Sequence, residues 1–163
     1  MRSAPLLATL LLAAPAFAQS LQGWVVGVAD GDTITILDAN KVQHKIRLAG
    51  IDAPEKAQPF GNVSRQHLAQ LVFQKTVNLD CGKRDRYNRE VCVVYLAGKD
   101  INVEQVRAGL AWWYRAYAKE QTAEQRRAYE QAEQEARDTR RGLWRDAAPT
   151  PPWDWRREKK RTD

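Results

Sequence analysis

The sequence contains few of the residues that bind transition metals. It has two cysteines and two histidines among 163 residues, and none of them forms a cluster with metal-ligand spacing. This absence argues against a zinc-binding domain of the cysteine–histidine type. We expect the isolated His44 and His67 to be structural or solvent-facing rather than catalytic.

Long hydrophobic runs are also scarce. The leucine- and alanine-rich run near the N-terminus follows Arg2 and ends in Ala16-Phe17-Ala18, the small-x-small pattern of a signal-peptidase site. A spanning helix needs ~20 apolar residues, and no second hydrophobic stretch follows. We therefore expect residues 1–18 to be a secretory signal peptide rather than a membrane anchor, and the mature protein to be periplasmic or secreted.

The small, even number of cysteines has a consequence in an oxidising compartment, where it favours a disulfide. Cys81 and Cys92 flank a single turn-rich segment. We expect a bridge between them, and two buried thiols are the alternative.

Basic residues outnumber acidic ones, 26 to 20, which gives a net charge of +6. A basic exported protein suits a polyanionic partner such as nucleic acid. Charge alone is weak support for that partner, because many basic proteins bind no polyanion.

Residue periodicity predicts a small β-barrel with helices at its side. Alternating patterns predict three antiparallel strands within residues 24–52 and two strands around the connector 82–89. Helical spacing predicts helices at 64–75 and 102–110, and a last helix that begins at the Thr122–Gln125 capping box. Five strands in two groups, interrupted by a helix, favour an α+β protein with a five-stranded OB-fold barrel.

We expect one domain over residues 22–146, followed by a tail. The tail, residues 147–163, is rich in proline and then in charged residues, and this composition predicts an extended or disordered segment. Its basic cluster either contacts a phosphate backbone or serves only to solubilise the chain.

Four acidic side chains lie near predicted strand ends. Asp30 and Asp32 are two positions apart, which can put them on one face of a strand, and Asp52 and Glu55 lie at a proline turn. A fold that brings the first and third strands side by side would gather three or four of these carboxylates, whose mutual repulsion is costly without a cation. Oxygen ligands select Ca²⁺ or Mg²⁺, and the spacing does not fit an EF-hand loop.

Two arginines accompany the carboxylates. Arg47 lies on the strand that leads to Asp52, and Arg89 ends the DRYNR turn. Guanidinium groups bind phosphate bidentately, and Glu55 can orient or deprotonate a water molecule. Each residue also has a structural interpretation, such as an inter-strand ion pair for Arg47 or a solvated loop position for Arg89. Their joint occurrence favours catalysis of phosphodiester hydrolysis.

The motifs DGDT, IRLAGIDAPE, DRYNR, GLAWWY and GLW follow one another between Trp24 and Trp144. In this order and at these distances they resemble the staphylococcal nuclease (thermonuclease) family. The cysteine pair, the signal peptide and the segment WWYRAY resemble the exported bacterial branch of that family. The resemblance implies an OB-fold barrel with three helices, cleavage of DNA and RNA by water attack, and Ca²⁺ as cofactor. We expect a monomer that does not contact the membrane after signal cleavage.

The resemblance also implies roles for individual residues. Those that match the family's catalytic and cation-binding positions are Asp32, Asp52 and the backbone carbonyl of Ala53 as Ca²⁺ ligands, Asp30 as their acidic neighbour, Glu55 as base or water-positioning group, and Arg47 and Arg89 as phosphate contacts.

Substrate-binding positions are implied in the same way, with some departures. Tyr87 and Tyr117 match aromatic positions near the bound nucleotide, Arg86 replaces a phosphate-binding lysine, and Arg115 replaces a tyrosine. The segment that follows Glu55 is shorter than in the family prototype, so the balance of exonuclease and endonuclease activity can differ. A non-catalytic OB-fold module that binds nucleic acid and a calcium-stabilised structural domain are the alternatives.

Overall fold

The computed structural model describes residues 21–162, so the predicted signal peptide lies outside the described residues. The strands are β1 (Leu21–Asp30), β2 (Thr33–Leu37), β3 (Gln43–Leu48), β4 (Ile51–Asp52), β5 (Thr76–Arg84), β6 (Glu90–Leu96), β7 (Lys99–Asp100) and β8 (Trp112–Trp113).

A closed five-stranded barrel forms the centre of the structure, with β1, β2 and β3 as an antiparallel meander and β5 and β6 as a hairpin. Strand β1 pairs antiparallel with β5, and β3 pairs in parallel with β6, which closes the barrel. The predicted OB-fold barrel of an α+β protein is confirmed.

Alternation along the strands directs one apolar face into the barrel, because successive side chains of a strand point to opposite sides. The fully buried residues are mostly β-branched or leucine, as this interior requires. They include Val25, Ile34, Ile36, Ile46, Leu48, Val77, Leu79 and Val94.

In the described part of the chain, four α-helices and two short 3₁₀ turns flank the barrel. The helices are α1 (Gly61–Val72), α2 (Ile101–Arg107), α3 (Ala123–Asp138) and α4 (Pro152–Thr162), and the turns are Arg115–Glu120 and Gly142–Arg145. The predicted capping box is present at α3, where Thr122 accepts a hydrogen bond from the Gln125 N–H and the Gln125 side chain accepts one from the Thr122 N–H. Within residues 21–162, no helix combines the length and apolar character that crossing a bilayer requires.

Helix α1 begins three residues earlier than the sequence predicts. Ser64, where the predicted helix starts, is a buried residue of its first turns, and its Oγ donates to the Leu110 carbonyl over 2.6 Å. Gly61 lies so close to the preceding loop that an added Cβ would be 2.0 Å from the Glu55 carbonyl oxygen. The start of α1 is therefore fixed by packing against that loop rather than by a side-chain cap.

The predicted Cys81–Cys92 disulfide is present. The two cysteines are register partners on β5 and β6, and Cys92 is also the partner of Leu48 on β3. The bridge therefore fastens the hairpin beside the strand pair that closes the barrel.

The C-terminal tail differs from its predicted disorder, because residues 152–162 form α4. Pro152 opens the helix, a position where its missing N–H costs nothing. Trp153 stacks on Tyr114 with 5.1 Å between ring centroids and meets Trp112 edge-on at 5.6 Å. Before the helix, the Thr150 carbonyl accepts a hydrogen bond from Gln58. These long-range contacts, which composition does not reveal, offset the entropy cost of ordering a charged segment.

Candidate active site

Two carboxylates meet at one end of the barrel. Asp32 directly precedes β2, and Asp52 ends the short strand β4; their residues are 5% and 1% exposed. Arg47 of β3 joins them, with Nη1 2.9 Å from Asp32 Oδ2 and Nη2 3.1 Å from Asp52 Oδ1. The structure thus brings together three of the site residues that the sequence predicts.

Backbone and side-chain donors fix the orientation of Asp32. Its Oδ2 accepts from the N–H of Ala53 over 2.7 Å, and its Oδ1 accepts from Thr33 Oγ1 over 3.2 Å. Asp30 stabilises the same turn, because its Oδ1 accepts a hydrogen bond from the N–H of Asp32. Asp30 therefore shapes the turn, whereas Asp32 points towards Asp52 and Arg47.

The turn also rests on a contact that sequence reasoning missed. Gln105 of α2 is fully buried, and its Nε2 donates to the Gly31 carbonyl over 2.7 Å and to the Ser64 carbonyl over 3.2 Å. A Cβ added to Gly31 would lie 1.8 Å from Ser64 Oγ, so only glycine permits this approach. The one sequence signal is a glutamine one helical turn after the apolar Ile101, and it does not identify the partner.

Burial dominates the protonation of Asp32. It raises the pKa of this carboxyl to about 8, with Asp30 and Asp52 acting in the same direction and Arg47 opposing them. Removal of a carboxylate from water disfavours its charged form, and the neighbouring negative charges add to that cost. A further positive charge at this position would favour the ionised form.

Glu55 and Asp52 share a second guanidinium, which sequence reasoning also missed. Arg156 of α4 places Nη2 2.7 Å from Asp52 Oδ2 and Nη1 2.6 Å from Glu55 Oε1. The hydrogen bond to Asp52 raises the pKa of Arg156 further, so the group stays cationic. A basic residue in a charged tail carries no sequence signal of this contact.

Arg89 approaches the site from the turn between β5 and β6. Its Nη1 lies 3.4 Å from Thr33 Oγ1, next to Asp32, while Asp85 Oδ2 accepts from its Nε over 2.8 Å. Asp85 therefore orients the Arg89 guanidinium towards the turn that carries Asp32.

The predicted substrate-binding residues occupy two separate places. Arg86 and Tyr87 lie on the same turn as Arg89, and the Tyr87 ring is exposed with the Arg86 guanidinium 4.9 Å from its centroid. Tyr117 is also exposed, and Lys83 Nζ lies over its ring, 4.5 Å from the centroid. Arg115 instead pairs with Glu133 over 2.8 Å and covers Trp113.

The donor set fits a hard divalent cation. Asp32 and Asp52 supply carboxylate oxygens that both contact the Arg47 guanidinium, and the neighbouring Ala53 can add a backbone carbonyl. In the described part of the chain, one group of three metal-type side chains lies within 4.8 Å of one another, namely Cys81, Glu90 and Cys92. The disulfide removes both thiolates from that group. The carboxylate pair is therefore the better candidate for a cation.

Paired carboxylates beside arginines, at the end of an OB-fold barrel, define a nuclease-type site. Comparison with known proteins agrees. The family model described as "Staphylococcal nuclease homologue" matches residues 45–146. The chain belongs to the staphylococcal nuclease family and is a nuclease, that is, a phosphodiesterase.

Individual relatives match most of the chain. An "Uncharacterized endonuclease" from Haemophilus influenzae is 43% identical over 136 residues, which cover 83% of this chain and 73% of the relative. A "Micrococcal nuclease" from Shigella flexneri is 42% identical over 160 residues, with 93% and 88% covered. "Protein ParB" from Escherichia coli is 41% identical over 167 residues, with 97% and 91% covered.

Proposed function

We propose that the protein is an exported, Ca²⁺-dependent nuclease that hydrolyses phosphodiester bonds of DNA and RNA by attack of water. The observation that carries the proposal is the convergence of Asp32 and Asp52 on Arg47, at 2.9 and 3.1 Å. The arrangement supplies oxygen ligands for a hard cation next to a guanidinium that can bind phosphate.

Asp32, Asp52 and the Ala53 carbonyl would hold the cation. A Ca²⁺ ion bound there would supply positive charge to polarise the phosphoryl oxygen and to offset the negative charge of the transition state. The two aspartates are buried, so the effective dielectric constant around them is low. A low dielectric constant strengthens the attraction between the cation and the negative charges at the site.

Glu55 orients the attacking water and accepts its proton. The residue lies three positions after Asp52, and its side chain is partly exposed, so water can reach it. General-base catalysis by a positioned carboxylate contributes about 10²- to 10⁴-fold to the rate.

Arg47 and Arg89 bind the phosphate and stabilise the charge that builds up on its equatorial oxygens. A guanidinium fork matches two phosphate oxygens and stays protonated at any working pH. Asp85 accepts a hydrogen bond from Arg89 Nε and so restricts the arginine side chain, which reduces the entropy lost when Arg89 binds the phosphate.

Four peripheral residues would contact the rest of the nucleic acid. Tyr87 and Tyr117 offer exposed rings on which bases can stack, and Arg86 supplies positive charge for the backbone. Arg115 would have to leave Glu133, its partner at 2.8 Å, to do the same. We propose that the nuclease acts as a monomer and, after signal cleavage, without contact to the membrane.

A nuclease assay tests the proposal. Chain beginning at residue 19 is incubated with single-stranded DNA or RNA in Ca²⁺, in Mg²⁺ or in chelator. We expect Ca²⁺ to stimulate release of acid-soluble nucleotides and chelator to abolish it. If Ca²⁺ stimulates nucleotide release from neither DNA nor RNA, the proposed calcium dependence is wrong.

Export is tested separately on protein recovered from outside the cytoplasm. We expect its N-terminal residue to be Gln19, as cleavage after Ala18 requires. Recovery of the full-length chain in the cytoplasm alone would contradict export.

A further inference from the structure

Helix α4 places a positive charge on the carboxylates that would hold the cation. Arg156 Nη2 lies 2.7 Å from Asp52 Oδ2, and Nη1 lies 3.2 Å from Asp52 Oδ1. The same Nη1 donates to Glu55 Oε1 over 2.6 Å. One side chain therefore contacts both a predicted cation ligand and the predicted base.

The contact is held by packing as well as by charge. Trp153 and Arg156 are three residues apart, so they share one face of α4. On that face Trp153 stacks on Tyr114 and meets Trp112 of β8, which is the register partner of Asp52. Aromatic pairs of this kind contribute about 0.5–1.5 kcal/mol beyond their buried area, so they help to keep Arg156 at Asp52.

A divalent cation and the Arg156 guanidinium need the same oxygens. Direct coordination by Asp52 places an ion at 2.3–2.6 Å from a carboxylate oxygen, whereas both Asp52 oxygens now accept hydrogen bonds from Arg156. Two positive charges at this separation repel in a site of low exposure. Occupation of Glu55 Oε1 likewise competes with a water molecule for this carboxylate.

We propose that Arg156 is an intramolecular competitor of the divalent cation. In the docked state of α4 it neutralises Asp52 and Glu55, and cation binding requires α4 to release them. Release frees the ligand and the base in one step, so α4 keeps the nuclease inactive until the cation binds. The inference rests on the proposed calcium site and adds a regulator to it.

The competition has a measurable consequence for affinity. When a ligand binds only one of two conformations, its apparent dissociation constant is the intrinsic constant divided by the fraction in that conformation. Removal of the competing charge raises this fraction. We expect Arg156→Gln to bind Ca²⁺ about 3- to 30-fold more tightly than the wild-type protein.

Calorimetric titration of Ca²⁺ into chain beginning at residue 19 measures this affinity without reference to nuclease activity. Arg157→Gln is the matched control, because it removes the same charge at the next residue along the chain. The Arg157 side chain is 71% exposed and is bonded to Asp154. We expect the affinity of this variant to stay within twofold of wild type. Trp153→Ala keeps Arg156 but weakens docking, so it too should bind Ca²⁺ more tightly.

Thermal denaturation provides a second measurement. In chelator, Arg156→Gln should melt below wild type, because Asp52 and Glu55 lose a partner. Ca²⁺ should then raise its melting temperature by more than that of wild type. If Arg156→Gln binds Ca²⁺ no more tightly than wild type, the inference is wrong. If that variant does not fold, Trp153→Ala decides by the same criterion.

The outcomes also separate this inference from the function it rests on. Equal Ca²⁺ affinity in all variants, with calcium-stimulated cleavage intact, overturns the competition alone. No Ca²⁺ binding by wild type or by any variant overturns both the calcium site and the competition.

Discussion

Gln105 Nε2 donates a hydrogen bond of 2.7 Å to the carbonyl oxygen of Gly31. The bond joins helix α2 to the turn that carries Asp32, and Gln105 is fully buried where it forms. A backbone carbonyl deprived of this donor would have no access to water, so the position of the turn depends on one side chain.

Replacement of Gln105 by leucine should therefore destabilise the protein. The change leaves the Gly31 carbonyl without this donor, which costs about 1–3 kcal/mol for a buried unsatisfied group. Urea denaturation measures the loss. Gln134→Leu is the control, because Gln134 bonds only its exposed helical neighbour Asp138. Equal stability of the two variants would show that the buried bond contributes nothing.

Gly31→Ala should destabilise the same turn by a steric route. The new Cβ would lie 1.8 Å from Ser64 Oγ and 2.7 Å from Ala53 Cβ, so residues on both sides must move. Overpacking of this kind costs about 1–3 kcal/mol, and displacement of Ala53 should weaken Ca²⁺ binding as well. Gly82→Ala serves as the control, since a Cβ there meets nothing within 4 Å. A stable Gly31→Ala variant with normal Ca²⁺ affinity would contradict the prediction.

Loss of the Cys81–Cys92 bridge should lower the free energy of unfolding by about 3 kcal/mol. The bridge closes a loop between cysteines 11 residues apart, and this closure reduces the entropy of the unfolded chain. Reduction of the wild-type protein before urea denaturation measures the effect. The double variant Cys81→Ser and Cys92→Ser should match the reduced protein and not respond to reductant. A reductant response in the double variant would assign the effect to something other than the bridge.

Glu55→Gln should lower nuclease turnover about 10²- to 10⁴-fold, because the amide cannot accept a proton from water. The assay compares initial rates on single-stranded DNA at saturating Ca²⁺. Glu120→Gln, at an exposed residue paired with Lys83, should stay close to wild type. Retention of more than half of the turnover by Glu55→Gln would exclude Glu55 as the base.

His44 should make stability depend on pH. It lies between Asp38 and Glu90, at 3.1 and 3.0 Å, and the hydrogen bond to Asp38 raises its pKa above 6.5 despite partial burial. A raised folded-state pKa stabilises the fold fully below the unfolded value, and the contribution is lost as the pH rises through the folded value.

The difference in unfolding free energy between wild type and His44→Gln should therefore be larger at about pH 5.5 than at about pH 9. Denaturant titrations at the two pH values measure it. His67→Gln provides a comparison histidine on α1. An equal difference for His44→Gln at both pH values would rule out the protonated bridge.

Local patterns predicted the features that depend on local chemistry. Alternating apolar residues such as Ile34 and Ile36 fixed the inner face of β2, and the family motifs indicated that Asp32 and Asp52 converge. The sequence did not reveal Gln105 or Arg156, because each acts on a partner far along the chain. Composition predicts an extended or disordered tail because it reflects only the solubility of the segment, whereas Trp153 stacks on Tyr114 only when the chain is folded.

The parallel pairing of β3 with β6 has a consequence for how this enzyme can diversify. Arg47 is the register partner of Val91, two residues after Arg89, so both arginines belong to one strand junction. The turn that precedes Arg89 stands outside that junction and carries the exposed Tyr87. Changes in the length or chemistry of this turn can therefore alter the exposed surface around Tyr87, while Asp32, Asp52 and Arg47 keep their geometry.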